Sequence, residues 1–139
     1  MSGFLLDTNV ISELIKPKPE PAVVQWIAIT DEDLLFISVL TVGEIRKGIA
    51  SYPHAARRAK LEAWLTGDLV VRFADRILPI DLAVAERWGR MAALAGRPLR
   101  VVDGLLAATA QHHDLTLVTR NLADVEGTGV AVFNPWSAR

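Results

Sequence analysis

Three acidic residues stand where a buried strand ends or a helix begins: Asp7, Glu44 and Asp103. Asp7 directly follows the apolar run Phe4–Leu6, which is typical of a buried parallel strand. A fourth acid, Asp124, follows a later apolar run. Carboxylates brought close together repel one another, and they all stay ionised only when cations such as Mg²⁺ lie among them. Such ions activate water and stabilise the charge that develops in phosphodiester cleavage.

Each acid also has an ordinary structural interpretation. Asp7 could cap the helix that follows it, and Asp103 could cap the first turn of its own helix. Glu44 lies away from the apolar stripe of its helix, which favours a solvated side chain, and Asp124 lies in a polar loop. Asp103 is the most informative, because it shares a helical face with apolar residues. An acid on a buried face must be paired, capping or bound to a metal.

Strands and helices alternate along the chain. Apolar runs predict strands at residues 4–6, 34–39, 77–80, 115–119 and 130–133. Helices are predicted at residues 22–29, 41–49, 54–66, 82–95 and 101–112. Gly67 and Asp68 are expected to end the third helix, and residues 69–73 suit either a helix or an extended segment. The alternation predicts an α/β fold, a three-layer sandwich with a mostly parallel central sheet flanked by helices.

The composition indicates one globular domain spanning residues 1–139. Hydrophobic residues make up 51% of the chain and charged residues 22%, and cysteine is absent. The net charge of −1 lacks the basic surplus of many nucleic-acid binders, but an acidic metal site would mask a basic patch in this sum. Because no signal segment or bilayer-spanning apolar run is visible, we expect a soluble cytoplasmic protein without membrane association.

Four motifs, in their order and spacing, resemble the PIN-domain family and, within it, the VapC-type toxins of the FitB-like branch. They are LLDTNVIS at residues 5–12, SV with TVGEI between residues 38 and 45, VDGLLAATA at residues 102–110, and LVTRN at residues 117–121 followed by Asp124. The likeness covers essentially the whole chain. It implies the toxin of a type II toxin–antitoxin pair, an endoribonuclease that depends on Mg²⁺ or Mn²⁺ and cleaves RNA with a metal-activated water.

The resemblance also implies a four-acid site. Asp7, Glu44 and Asp103 match its first three acids, which are the expected metal ligands. Many relatives carry Asp where this chain has Asn121, so either Asp124 completes the catalytic set or a second metal binds weakly or only with RNA. The polar positions that assist the site in the family are matched by Thr8, Asn9, Thr119 and Asn121.

The same resemblance implies a homodimer and a VapB-like antitoxin whose C-terminal segment wraps the toxin, with larger assemblies of the two also open. Trp26, Trp64 and Leu65 are candidates for the docking surface, although Trp26 better suits the core. Some of the basic residues near the motifs are expected to contact RNA phosphates. These residues are Arg46, Lys47, Arg97, Arg100 and Arg120.

Two rival functions remain open at this point. A phosphatase with an aspartate nucleophile also carries Asp at a strand end, but it needs a second Asp two residues later, where this chain has Asn9. A non-catalytic interaction module would keep the fold without binding a metal. The neutral Asn121 leaves room for that second alternative.

Overall fold

A five-stranded parallel sheet forms the middle layer of the protein. The computed structural model describes residues 2–137. The strands are β1 (Phe4–Leu6), β2 (Leu35–Ser38), β3 (Ile77–Leu78), β4 (Thr116–Val118) and β5 (Val132–Phe133). Their order across the sheet is β3-β2-β1-β4-β5, and every neighbouring pair is parallel. The predicted sheet is therefore confirmed, although β3 and β5 are shorter than expected.

Helices cover both faces of this sheet. They are α1 (Thr8–Leu14), α2 (Pro21–Ile29), α3 (Val39–Ala50), α4 (Ala55–Trp64), α5 (Val70–Phe73), α6 (Leu82–Leu94) and α7 (Val101–His112). Successive strand residues point to opposite faces. Leu6 and Val118 therefore join the core under α1 to α5, whereas Leu5 and Leu117 join the core under α6 and α7. This arrangement is the predicted three-layer sandwich.

One predicted helix end is wrong. The helix expected to stop at Gly67 and Asp68 continues from α4 through a π-helical turn, Leu65–Leu69, into α5. Leu65, Leu69 and Phe73 are each less than 5% exposed, because their four-residue spacing keeps them on one buried face. A glycine inside a helix costs only about 1 kcal/mol, so burial of this apolar face outweighs it.

The order of the strands creates a crevice beside β1. The chain runs outward from β1 through β2 to β3, and it then returns on the other side of β1 as β4. Asp7 follows β1, and its N–H donates to the Val118 carbonyl at 2.9 Å, which keeps the two strand ends together. Open α/β sheets bind ligands outside the carboxyl ends of the strands at such a switch point.

The helices lead away from the same edge of the sheet. Asp7 caps α1 by accepting a hydrogen bond from the Thr8 N–H at 2.7 Å, and Ser38 caps α3 through the Leu40 N–H at 3.0 Å. This cap starts α3 at Val39, two residues earlier than predicted. None of the helices in residues 2–137 combines the length and the apolar character that crossing a bilayer would need.

Candidate active site

A cavity of about 360 Å³ lies at the carboxyl ends of β1 and β4. Seven of the eight residues that the sequence analysis assigned to the site line this cavity: Asp7, Thr8, Asn9, Glu44, Asp103, Asn121 and Asp124. The eighth, Thr119, is 1% exposed, and its hydroxyl is connected to the cavity by hydrogen bonds with Asp7, Asn9 and the Asn121 N–H. The fold thus brings together side chains that lie up to 117 positions apart in the sequence.

Asp7 is held by three neighbours. Its Oδ1 accepts the Thr8 N–H, so its ordinary interpretation as a helix cap is also correct. Its Oδ2 accepts the Thr119 hydroxyl at 2.8 Å and lies 3.5 Å from the Asn9 amide nitrogen. Burial raises the pKa of the Asp7 carboxyl, the two hydrogen bonds from Thr119 and Thr8 oppose this rise, and the charges of Glu44 and Asp103 add to it.

Asp103 carries a buried oxygen that accepts no hydrogen bond. The residue lies inside α7 and does not cap it, because the helix begins at Val101 without a side-chain cap. Its Oδ2 accepts no hydrogen bond, and the nearest basic atom, Nε of Arg100, is 3.8 Å away. Burial raises the pKa of the Asp103 carboxyl, and the charge of Asp124 raises it further. A buried unsatisfied carboxylate oxygen in a cavity is unusual and suggests a ligand.

Glu44 is exposed, as its helical position predicted, but its carboxylate is not free. The Thr8 hydroxyl donates to Glu44 Oε1, and the same hydroxyl lies 3.2 Å from that of the fully buried Thr41. The Thr8 hydroxyl is therefore positioned by Thr41, and it orients the Glu44 carboxylate. This contact ties the start of α1 to α3 at the mouth of the cavity.

The fourth acid is positioned by a basic residue. Asp124 lies in the 3₁₀ turn Leu122–Val125, and Arg97 donates to the carbonyls of Ala123 at 2.7 Å and Glu126 at 2.9 Å on both sides of it. Asn121 also lines the cavity, and its N–H donates to the Thr119 hydroxyl at 3.1 Å. Both candidates for the fourth position thus face the same space, and only Asp124 brings a charge.

Glu13 is a cavity residue that the sequence analysis missed. It is only 5% exposed, and both of its carboxylate oxygens are satisfied, by Lys16 Nζ and by the Glu20 N–H, each at 2.8 Å. The hydrogen bond from Lys16 lowers the pKa of the Glu13 carboxyl, and the charge of Arg120 contributes in the same direction. The available signal was a glutamate three residues before a lysine at a helix end.

The basic residues named above have different surroundings. Arg100 and Arg120 line the cavity together with Lys16, whereas the guanidinium of Arg97 is bound to the loop that carries Asp124. Arg46 and Lys47 are exposed on α3. We call Asp7, Glu44, Asp103 and Asp124 the acidic floor of the cavity. Its basic rim consists of Lys16, Arg100 and Arg120.

The three proposed docking residues also differ. Trp26 packs in the core, with its ring centroid 5.0 Å from that of Phe4 and 5.1 Å from that of Phe133. Trp64 lines a separate groove of about 230 Å³. Leu65 is 1% exposed, so its prediction as a docking residue is wrong. The reason is the continuous helix, which turns Leu65 into the core.

The donor chemistry of the cavity suits a hard divalent cation. No three His, Cys, Asp or Glu side chains among residues 2–137 are arranged as a ready-made metal site. Mg²⁺, however, keeps several waters and is usually held by one or two carboxylates together with substrate phosphates. Three features fit such an ion: an Asp103 oxygen that accepts no hydrogen bond, the raised pKa of the Asp7 carboxyl, and the nearby charges of Glu44 and Asp124.

The comparison with known protein families agrees with this geometry. A family model described as PIN domain matches residues 4–123. The chain belongs to the PIN-domain family. This PIN domain is 38% identical over 136 residues to VapC ribonuclease Y4jK of Sinorhizobium fredii, covering 96% of this chain and 97% of the relative. It is equally identical over 136 residues to Toxin FitB of Neisseria gonorrhoeae, covering 96% and 98%.

A solved structure supports the same branch of the family. This PIN domain is similar to the crystal structure of FitAcB from Neisseria gonorrhoeae, with a TM-score of 0.93 and 38% identity over 97% of this chain and 99% of that chain. The expected resemblance to VapC and FitB toxins is therefore confirmed, and so is the PIN-like fold. The relatives match over nearly their whole length, so the likeness is not confined to the motifs.

Proposed function

We propose that this PIN domain is the toxin of a type II toxin–antitoxin pair and acts as a divalent-metal-dependent endoribonuclease. The observation that carries the proposal is the buried oxygen of Asp103, which accepts no hydrogen bond and lies in a cavity shared with Asp7, Glu44 and Asp124. The relatives named ribonuclease and toxin match this chain over nearly its full length. RNA supplies the phosphate that a cation held by such acids would contact.

Each carboxylate has a proposed part in binding the ion. Asp7 and Asp103 would hold Mg²⁺ or Mn²⁺, Glu44 would complete or orient the ligand shell, and Asp124 would supply the fourth charge. A bound ion would act as a Lewis acid toward the scissile phosphate and would lower the pKa of water at the site. Partial relief of the repulsion between these acids would accompany binding, because their charges are close enough to raise the pKa values of Asp7 and Asp103.

The remaining polar residues orient the acids and the substrate. Thr119 and Asn9 fix the position of Asp7, and Thr8 fixes that of Glu44. Lys16 and Arg100 on the basic rim would balance the charge of RNA phosphates, which strengthens binding without reading sequence. The products would be two RNA pieces, formed as water adds to phosphorus and the bond to one bridging oxygen breaks.

The partner in this proposal is a VapB-like antitoxin. One similar solved structure is that of FitAcB from Neisseria gonorrhoeae, and the relative FitB is named a toxin. We propose the same class of partner here, and a homodimer of the toxin. Co-purification of the chain with the product of a neighbouring small gene, followed by light scattering, would test both points.

The decisive experiment is RNA cleavage by the purified protein with Mg²⁺ or Mn²⁺ and with a chelator. Asp7→Asn and Asp103→Asn should each abolish metal-dependent cleavage while the circular dichroism spectrum stays unchanged. Asp75→Asn is the matched control, because Asp75 is exposed in the turn before β3 and lies outside the cavity lining. Cleavage that survives in the Asp7→Asn, Asp103→Asn double variant would reject the assignment.

The non-catalytic alternative rests on the neutral Asn121 and makes a different prediction. Calorimetric titration with Mn²⁺ should give a specific binding isotherm that is lost in Asp103→Asn. A protein without any specific divalent binding would favour an interaction module instead. The phosphatase alternative is weaker, because Asn9 occupies the position of its second acid and its amide is bound to Thr119.

A further inference from the structure

Trp136 lines the cavity from outside the family motifs. It belongs to the C-terminal turn, where its N–H donates to Asn134 Oδ1 at 2.9 Å and the neighbouring Pro135 is buried. The indole is partly buried and packs against the core on the α1 to α5 face. The ring is thus held by the turn and the core, and Trp136 contributes to the lining of the cavity.

Arg120 lies over this ring. Its guanidinium carbon is 5.3 Å from the centroid of the Trp136 ring, which is within the range of a cation–π contact. The residue is exposed, and among residues 2–137 its guanidinium takes part in none of the ion pairs. Arg97 differs, because it is fixed by two backbone carbonyls. Arg120 is therefore not held by a salt bridge within residues 2–137, and its charge can also act on a ligand.

Arg120 is connected to Asp7 through the neighbouring residues Thr119 and Asn9. Arg120 directly follows Thr119, whose hydroxyl donates to Asp7 at 2.8 Å. The Arg120 N–H points to the Asn9 side-chain oxygen at 3.5 Å, and Asn9 in turn lies beside Asp7. A ligand on the ring and guanidinium would consequently lie next to the acids.

A fixed indole and a guanidinium without a salt bridge, beside the proposed site of phosphodiester cleavage, offer the kinds of surface on which nucleobases stack. We propose that Trp136 and Arg120 form a nucleobase subsite, on which the base of an unpaired nucleotide stacks next to the cleaved bond. This inference rests on the proposed ribonuclease function. It adds that binding depends on a base, and that the nucleotide beside the cleaved bond must be free to leave a helical stack.

The test measures base-dependent binding without cleavage, in the Asp7→Asn background. The probes are a short oligoadenylate and an abasic oligoribonucleotide of the same length and charge, compared by fluorescence anisotropy at one salt concentration. The background protein should bind oligoadenylate roughly 5- to 100-fold more tightly than the abasic chain. Adding Trp136→Ala should bring this ratio close to one and leave the abasic affinity nearly unchanged, since phosphate contacts remain.

Matched variants separate stacking from loss of structure. Trp136→Phe keeps an aromatic face and should retain most of the ratio, whereas Arg120→Gln should reduce both the ratio and the salt dependence of binding. Trp64→Ala, which alters a tryptophan in a different groove, should change neither. Should Trp136→Ala fail to fold, Trp136→Phe gives a second readout, because it should abolish most of the fluorescence quenching caused by oligoadenylate.

The outcomes are separable from those of the proposed function. A ratio near one in the background protein, or a ratio that Trp136→Ala leaves intact, overturns the nucleobase subsite. Absence of metal-dependent RNA cleavage by the wild-type protein overturns the nuclease function alone. A base-dependent ratio in a protein that does not cleave would support the subsite and reassign the cavity to RNA binding.

Discussion

Glu13 and Asp103 are two largely buried carboxylates of one cavity, and they are treated in opposite ways. The side chain of Glu13 is 6% exposed and that of Asp103 is 16% exposed. Glu13 has a donor for each oxygen and a lowered pKa, whereas Asp103 has a buried oxygen without a donor and a raised pKa. The protein can therefore satisfy an acid in this cavity, and its failure to satisfy Asp103 marks where a ligand is expected.

The difference arises from the local chain around each acid. Glu13 lies in the last turn of α1, so Lys16 and the N–H of Glu20, in the proline-rich segment that follows, can reach its carboxylate. Asp103 lies inside α7, on the face that also carries the buried apolar residues Leu106 and Ala107. Its nearest cation, Arg100, stays mostly in solvent. Glu13 therefore holds a loop in place, whereas Asp103 has no comparable structural contact.

The largest expected effect comes from Asp103→Asn. RNA cleavage should fall more than about a hundredfold, because the loss of outer partners of a metal site already costs about 10- to 100-fold. The free energy of unfolding should not decrease, since the variant removes a poorly paired charge. Glu13→Gln should keep most of its cleavage per folded molecule. Equal losses in the two variants would erase the distinction between the two acids.

Thr119→Val should give the next largest effect. The variant removes the hydroxyl that donates to Asp7 and accepts the Asn121 N–H, while the side chain keeps its size. We expect cleavage to fall by about 10- to 100-fold and Mn²⁺ binding to weaken. Thr66→Val is a suitable control, because its hydroxyl donates only to a helix carbonyl on the exposed surface. Normal Mn²⁺ affinity in Thr119→Val would show that Thr119 does not orient the acids.

Glu13→Gln should mainly affect stability. The amide cannot serve both Lys16 and the Glu20 N–H as well as the carboxylate does, and the site is buried. We expect the free energy of unfolding to fall by about 1–3 kcal/mol in urea titrations. Glu86→Gln, in an exposed pair with Arg90, should change it by less than about 0.5 kcal/mol. Similar values for both variants would contradict the structural role of Glu13.

The smallest effect is a difference in pH dependence. The raised pKa of Asp7 means that its ionised form disfavours the fold, so Asp7→Asn should raise the free energy of unfolding at neutral pH without divalent ions. This gain should vanish as pH falls through the raised pKa to the ordinary value of 3.8.

The contribution of Glu13 to stability should depend on pH in the opposite sense, because its ionised form favours the fold. Its pKa is lowered from 4.5, so its contribution is complete above that value and is lost only as pH falls through the lower one. Urea titrations should therefore show that the Asp7→Asn gain begins to fall above pH 3.8, whereas the Glu13→Gln cost persists as pH falls below 4.5. Loss of both effects over one pH range would argue against the two environments.

Part of this difference between Glu13 and Asp103 could be predicted from the sequence. Apolar runs located the strands, and the helical spacing of Asp103 placed it on a buried face. Glu13 was missed because its partners come from a loop whose path no local pattern reveals. The continuation of α4 past Gly67 was missed for a related reason, since burial of Leu69 and Phe73 depends on the sheet beneath them. Local signals predict elements, whereas pairing across elements depends on the assembled fold.

Both outer strands of the sheet, β3 and β5, are two residues long, and a proline follows each within two positions, Pro79 and Pro135. Neither border therefore exposes enough free backbone to accept a further strand. Self-association by strand addition, the common route to fibrils, is disfavoured at both borders. Any protein that neutralises this chain would have to recognise side chains on its helices or in its cavity.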